Sequence, residues 1–170
     1  MVKLTDFQIA FSGLKLGNHQ FDFQIEDAFF QLFDYAELSS GQINATILLK
    51  KKSNMLELDF QIKGNVTLAC DTCADDYTQS IYGNYKQIVK FSDLAEAEET
   101  DEIIILPTNE HTLKLANQLC EFIHLSLPSK RIHADEADCN QEMLEKLEEL
   151  AFQEPEIADP RWSALQNLKK

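Results

Sequence analysis

The sixteen residues from Met55 to Cys70 alternate with period two: Leu56, Leu58, Phe60, Ile62, Val66, Leu68 and Cys70 hold even positions, and Glu57, Asp59, Gln61, Lys63, Asn65 and Thr67 hold odd ones. Successive side chains on a strand point to opposite faces, so the pattern demands a long strand with one buried face. A second alternating run follows, with Tyr77, Ile81, Tyr85, Val89 and Phe91 on one side, and the two runs read as a β-hairpin. Its connection holds Cys70-Asp71-Thr72-Cys73, two thiols in a short turn close to solvent.

Shorter alternations at Phe7, Ile9 and Phe11, and at Phe21, Phe23 and Ile25 after a Gly17-Asn18 turn signal, predict two more strands. The crowding of Phe29, Phe30, Leu32, Phe33 and Tyr35 predicts one or two helical turns between Glu26 and Glu37. Alternation returns in Ile43, Ala45, Ile47 and Leu49, then Lys50-Lys51-Lys52-Ser53-Asn54 makes a polar turn, so three consecutive strands form an antiparallel meander. Ile103 to Leu106, ended by Pro107, reads as a short buried or edge strand. Thr112 is a candidate cap for a helix through Leu115, Ala116, Leu119, Phe122 and Ile123, stopped by Pro128. A second helix starts near Asn140 with Met143, Leu144, Leu147, Leu150 and Ala151 on one face, closed by Pro155. The expectation is a single α+β domain over residues 1–152 and a C-terminal tail over 153–170. Its twisted, mostly antiparallel sheet of about five to seven strands, curling toward a barrel, is covered by the two helices of the C-terminal third.

The 29 acidic residues against 15 basic ones leave a formal charge of -14, which opposes broad binding to phosphate backbones and favours basic protein partners. Six carboxylates fall between Asp93 and Glu102, the composition of a solvated loop. No stretch approaches the roughly 20 apolar residues that span a bilayer. Met1 to Asp6 lack the layout of a secretory signal, so a cytoplasmic protein without membrane association is expected. Four cysteines then suggest free thiols, a metal site or a redox pair rather than a secreted disulfide framework.

Three readings of the cysteine turn stand side by side. Cys70 and Cys73 can form half of a structural zinc site, with His133 and Cys139, five residues between them, as the other half. They can instead form a reversible disulfide, although Asp71, Asp75 and Asp76 should raise the thiol pKa values. Or Cys70 is a small core residue and Cys73 an incidental turn thiol. Cys120 reads as a packed hydrophobe and His124 as a polar-face imidazole, while His19 and His111 lie in polar turns. No nucleophile–base motif and no glycine-rich phosphate loop occur, so neither an enzyme nor a small-molecule substrate is expected. Lys50, Lys51 and Lys52, joined by Lys86, Lys90, Lys130 and Arg131 and by the rings of Tyr82 and Tyr85, are a candidate RNA footprint. The competing reading is a lysine-rich hairpin tip that blocks edge pairing. In the tail, Arg161, Trp162, Leu165 and Leu168 make a candidate partner-binding segment, with docking on its own domain the alternative.

Three stretches resemble one bacterial family, the YceD-like domain of unknown function, whose namesake is called the large ribosomal RNA subunit accumulation protein. They are Val66 to Cys73, similar to the family's strand running into a Cys-x-x-Cys turn; Leu115 to Pro128, a helix ending in Leu125-Ser126-Leu127-Pro128; and Asp159 to Lys169, similar to its short C-terminal signature. Thr72 stands where many relatives carry a basic residue, so no role that needs a cation between the thiols is implied. Some members place cysteine or histidine after the Leu-x-Leu-Pro helix, which supports the proposed ligand set. The resemblance implies participation in synthesis, processing or stability of large-subunit rRNA, with no enzymatic activity and no catalytic residue. With the charge, it suggests a non-enzymatic factor in large-subunit biogenesis that binds a basic ribosomal protein or assembly factor. Direct rRNA binding through the lysine turn is the alternative.

Overall fold

The computed structural model describes residues 2–34, 36–93, 100 and 102–151. In chain order the elements are β1 (Gln8–Ala10), β2 (Gly17–Ile25), α1 (Asp27–Phe30), β3 (Gly41–Lys51), β4 (Met55–Ala69), β5 (Asp76–Phe91), β6 (Ile103–Leu106), β7 (Thr112–Lys114), α2 (Ala116–Leu125) and α3 (Gln141–Leu150). Strands β2 to β6 form one sheet in sequence order, antiparallel up to β5 and parallel between β5 and β6, while β1 pairs with β7 apart from it. The sheet is open: β2 and β6 are its two ends, and it does not close into a barrel.

Strand parity places the core as the sequence pattern demands. Leu56, Leu58, Phe60, Ile62, Val66 and Leu68 of β4 are buried, as are Ile43, Ala45, Ile47 and Leu49 of β3. Between them the register pairs Ile47 with Phe60 and Leu49 with Leu58. At Gly64 the strands press backbone to backbone: a Cβ there would lie 2.6 Å from the Cα of Ile43 and against the carbonyl oxygen of Gln42.

Helix α2 closes the core from above. Its three-and-four spacing buries Ala116, Leu119, Cys120, Phe122 and Ile123. Phe122 meets Phe60 edge-on at 4.9 Å and stacks on Tyr85 at 4.5 Å. The Tyr85 hydroxyl lies 3.0 Å from Ser126 Oγ, which donates to the carbonyl of Phe122. Gly83 leaves room for that serine, since a Cβ there would overlap its hydroxyl. Thr112, expected to cap this helix, instead lies in β7. The N-cap is Leu115, whose N–H is bonded to the carbonyl of Phe7 rather than capped by a side chain. The aromatic run after Glu26 makes a single turn, α1, that sinks Phe29 and Phe30 into the core. Ile103 to Leu106 takes the edge position, paired with one end of β5.

Most of the acidic stretch, residues 94–99 and 101, lies outside the described residues, and so does the tail over 153–170.

Candidate metal centre at the hairpin tip

Strand β4 runs past the end of β3, whose last partner on it is Val66, so the β4–β5 tip projects beyond the main core. Cys70 is next in the even series after Leu68 and points to the same, inner face, buried. The turn that follows is closed by Cys70 N–H to Asp75 O and Ala74 N–H to Cys70 O, each 2.9 Å. It brings Ala74 to a φ of 63°, a left-handed conformation that costs a non-glycine residue of order 1–2 kcal/mol. That geometry turns Cys73 inward beside Cys70, and both are buried.

The other half of the cluster arrives from the segment between α2 and α3. Asp71 fastens it by a reciprocal pair of hydrogen bonds: its N–H donates to Arg131 O at 2.6 Å, and its carboxylate accepts from Arg131 N–H at 2.8 Å. The Arg131 guanidinium reaches Glu37 at 2.9 Å, tying the segment to the loop before β3. His133, two residues on, lies beside the Tyr77 ring, centroids 5.2 Å apart. A short turn begun by Asp135, whose side chain accepts from Ala137 N–H, then delivers Cys139.

Cys70, Cys73, His133 and Cys139 thus converge, with their donor atoms all within 4.8 Å of one another, close enough to hold one metal ion. His133 Nδ1 is 3.6 Å from Cys73 Sγ and 3.4 Å from Cys139 Sγ. In a tetrahedral zinc site with standard bond lengths, sulfur and nitrogen sit about 3.6 Å apart and two sulfurs about 3.8 Å apart. The histidine therefore already stands at ligand separation from two of the three sulfurs, and the remaining pairs, all within 4.8 Å, need to close by no more than about 1 Å. Three sulfurs and one imidazole nitrogen suit zinc, and four protein donors leave no open coordination position.

Electrostatics prepare the turn for a cation. The N–H of Cys73, followed by those of Thr72 and His133, points at Cys70 Sγ and outweighs burial, pulling that thiol from 9.0 down to about 6; Thr72 N lies 3.4 Å from the sulfur. The neighbouring aspartates were expected to raise it, and the fan of amides reverses that expectation. Cys139 moves the other way, to about 12, through burial and the proximity of the other two thiols.

The remaining candidate residues do not join this centre. Lys51 Nζ donates to the carbonyls of Phe11, Ser12 and Leu14, at 2.8, 3.1 and 2.8 Å. Lys52 and Lys50 both pair with Glu57, and Lys86 pairs with Asp59 at 3.7 Å. The lysine turn is committed to holding its own hairpin and the β1–β2 loop. Arg161, Trp162, Leu165 and Leu168 lie outside the described residues. Cys120 packs into the main core. His124 holds two backbones together: its Nδ1 lies 2.7 Å from Cys120 O, and its Nε2 accepts from Glu37 N–H at 3.3 Å. A half-open cavity of about 500 Å³ beside β6, β7 and α2 has a mainly apolar and amide lining, with Glu110 and Lys114 as its charged members. Sequence reasoning missed Asp71 and Arg131 as the fastening pair, since no spacing rule ties residues sixty positions apart.

An open, mostly antiparallel sheet with three thiols and an imidazole gathered at one hairpin tip, close enough to hold a metal ion, defines a small α+β protein. No helix among the described residues is long and apolar enough to cross a membrane. The chain belongs to the family described as large ribosomal RNA subunit accumulation protein YceD, whose model matches residues 58–169. No curated protein and no solved structure matches it.

Proposed function

We infer that this protein is a non-enzymatic factor in large ribosomal subunit biogenesis, acting in the cytoplasm. It supports accumulation, processing or stability of large-subunit rRNA by binding a basic ribosomal protein or assembly factor. The observation that carries this reading is the family match, which spans both halves of the cysteine cluster and both long helices. The formal charge of -14 supports a cationic partner, and the internal pairing of Lys50, Lys51 and Lys52 argues against the lysine turn as an RNA footprint.

The cluster fits a structural zinc ion held by Cys70, Cys73, His133 and Cys139, which would clip the segment before α3 to the hairpin tip. Such a site contributes folding energy rather than catalysis. The tail with Arg161, Trp162, Leu165 and Leu168 is proposed as a second partner contact.

Affinity capture from lysate, with and without nuclease, tests the reading. Large-subunit proteins retained after nuclease treatment are the expected result. Retention of rRNA that is lost when Lys50, Lys51 and Lys52 become glutamate would transfer the function to direct RNA binding. Copurification of nothing related to ribosomes would overturn both.

A further inference from the structure

Helices α2 and α3 are each ten residues long, yet α2 buries five residues and α3 none. Helix α3 is nevertheless amphipathic. Met143, Leu147 and Leu150 follow one another at spacings of four and three on one face, and they are 37%, 47% and 82% exposed. The neighbouring Leu144 turns inward against the cysteine cluster. Around the rest of the helix stand Glu142, Glu145, Glu148 and Glu149, with Lys146 alone of opposite sign and paired to Glu142 at 2.7 Å. With Asp135, Glu136 and Asp138 just upstream, residues 135–150 carry seven carboxylates against one lysine.

A helix this short is marginal on its own in water. Its anchors are a cap from Asn140 to Met143 N–H at 3.3 Å, an Asn140 contact to Asp75 at 3.5 Å and the packing of Leu144. Three large apolar side chains in a row, rimmed by carboxylates and held out from the fold by the cysteine turn, have the layout of a helix-recognition surface.

We propose that the Met143–Leu147–Leu150 face of α3 is the docking surface, and that its occupant is a basic amphipathic helix of the partner protein. The apolar stripe of that helix covers the three side chains, and its lysines and arginines meet Glu145, Glu148 and Glu149. This rests on the protein-partner reading above and gives that reading its address. Charge complementarity selects the occupant: a second copy would bring the same seven carboxylates against these, and a phosphate backbone would be repelled by them.

The test uses the full, zinc-loaded chain and a fluorescein-labelled synthetic peptide of about 18 residues, five helical turns, with leucines on one face and lysine and arginine elsewhere. A scramble of the same composition is the control. The expected result is binding at least roughly tenfold tighter than the scramble, weakened by salt, and reduced roughly tenfold by Leu147→Glu combined with Leu150→Glu. Because those changes add negative charge, a loss of affinity for a cationic peptide reports the apolar face. Both side chains are exposed, and an unchanged melting curve confirms that the fold is intact. Equal affinity for peptide and scramble, or for wild type and variant, overturns the proposal. So does a change in Trp162 emission caused by the double substitution without peptide, which would assign the face to the chain's own tail. Self-association that the substitution abolishes would assign it to a second copy, with the same consequence.

Proteins salt-extracted from purified large ribosomal subunits, passed over immobilised wild type and variant, separate the two levels. Retention by both leaves the partner reading standing and removes α3 from it. Retention by neither, repeated with a salt extract of assembling large-subunit precursors that carries the assembly factors, removes the partner reading itself.

Discussion

The molecule has two interiors of different kinds. Among the described residues the main core joins both sheets, α1 and α2 through twenty-seven buried side chains, aromatic and aliphatic almost throughout. The one at the hairpin tip consists of three buried thiols with Tyr77, Ile132 and Leu144 packed around them. Hydrophobic burial scales with area, so the first can hold its elements unaided. The second has far less area to draw on: among the described residues, the segment from Arg131 to Leu150 meets the rest of the fold through a few hydrogen bonds, the Arg131–Glu37 ion pair and this small cluster. The difference teaches where a metal would add most: at the tip, where four side chains close enough to hold an ion flank an extended segment and a short helix with little apolar area of their own.

The sharpest way to break that contrast is to remove one ligand. Cys139→Ser leaves two thiols and a histidine, and bound zinc, measured by elemental analysis of untagged protein, should fall from one equivalent to near none. Hydrogen exchange should then show loss of protection confined to residues near 131–150, with β3, β4 and β5 unaffected. Full protection in that segment without zinc would mean that the small interior is self-sufficient and holds its elements as the main core does.

The opposite perturbation should spare the metal. Phe60→Ala removes a ring that is 2% exposed and that packs on Phe122, a change that typically costs 3–5 kcal/mol. Chemical denaturation should show that loss over the whole domain, while zinc content of the folded fraction stays at one equivalent. Joint loss of zinc and stability would show that the two interiors fold as one cooperative unit.

The same contrast explains what could be read from the sequence. Strands β3, β4 and β5 were legible because period-two burial writes itself into every second residue, and the placement of Cys70 on the inner face followed from the parity of Leu68. Helix α3 and its start near Asn140 were also legible, though the cap that Asn140 makes was not. The β6 edge position was not, because a run of β-branched residues looks alike at an edge or in a centre; nor was the role of Thr112, whose capping chemistry also suits a strand. Spacing and residue type, supported by the family resemblance, single out Cys70, Cys73, His133 and Cys139 as candidate ligands in one of three readings. Their convergence was not legible, because it depends on Asp71 meeting Arg131 across sixty residues and on Ala74 accepting a left-handed backbone.

Asp71 therefore provides a finer probe than a ligand. It touches no donor atom of the cluster but orients the segment that carries His133, and removing such a supporting group typically costs 10–100-fold in metal affinity. Asp71→Ala should weaken zinc binding by roughly that factor in competition with a chelator, and Asp71→Asn, which keeps an acceptor for Arg131 N–H, should recover most of it. Equal losses in both would assign the effect to charge rather than to positioning.

The smallest effect concerns the cluster without its metal, in the reduced, chelated chain. Cys70 is held at about 6 instead of 9.0 because folding aims the amides of Cys73, Thr72 and His133 at its sulfur. Its contribution to stability is complete above 9.0 and is lost as pH falls through about 6. Cys139, raised to about 12 by burial, contributes fully below 9.0 and loses that contribution only as pH rises toward 12. Between pH 6 and 9 the two do not oppose each other, so Cys70 should make the melting temperature of the chelated chain rise across that window. Cys70→Ser should flatten the rise, whereas Cys139→Ser should leave it. Zinc adds a slope of the same sign, since binding displaces thiol protons and weakens on acidification. Acid therefore loosens the tip by both routes. A chelated wild type with a flat profile would show that the amides around Cys70 do not hold a thiolate, and that the tip stays closed without a charge at its centre.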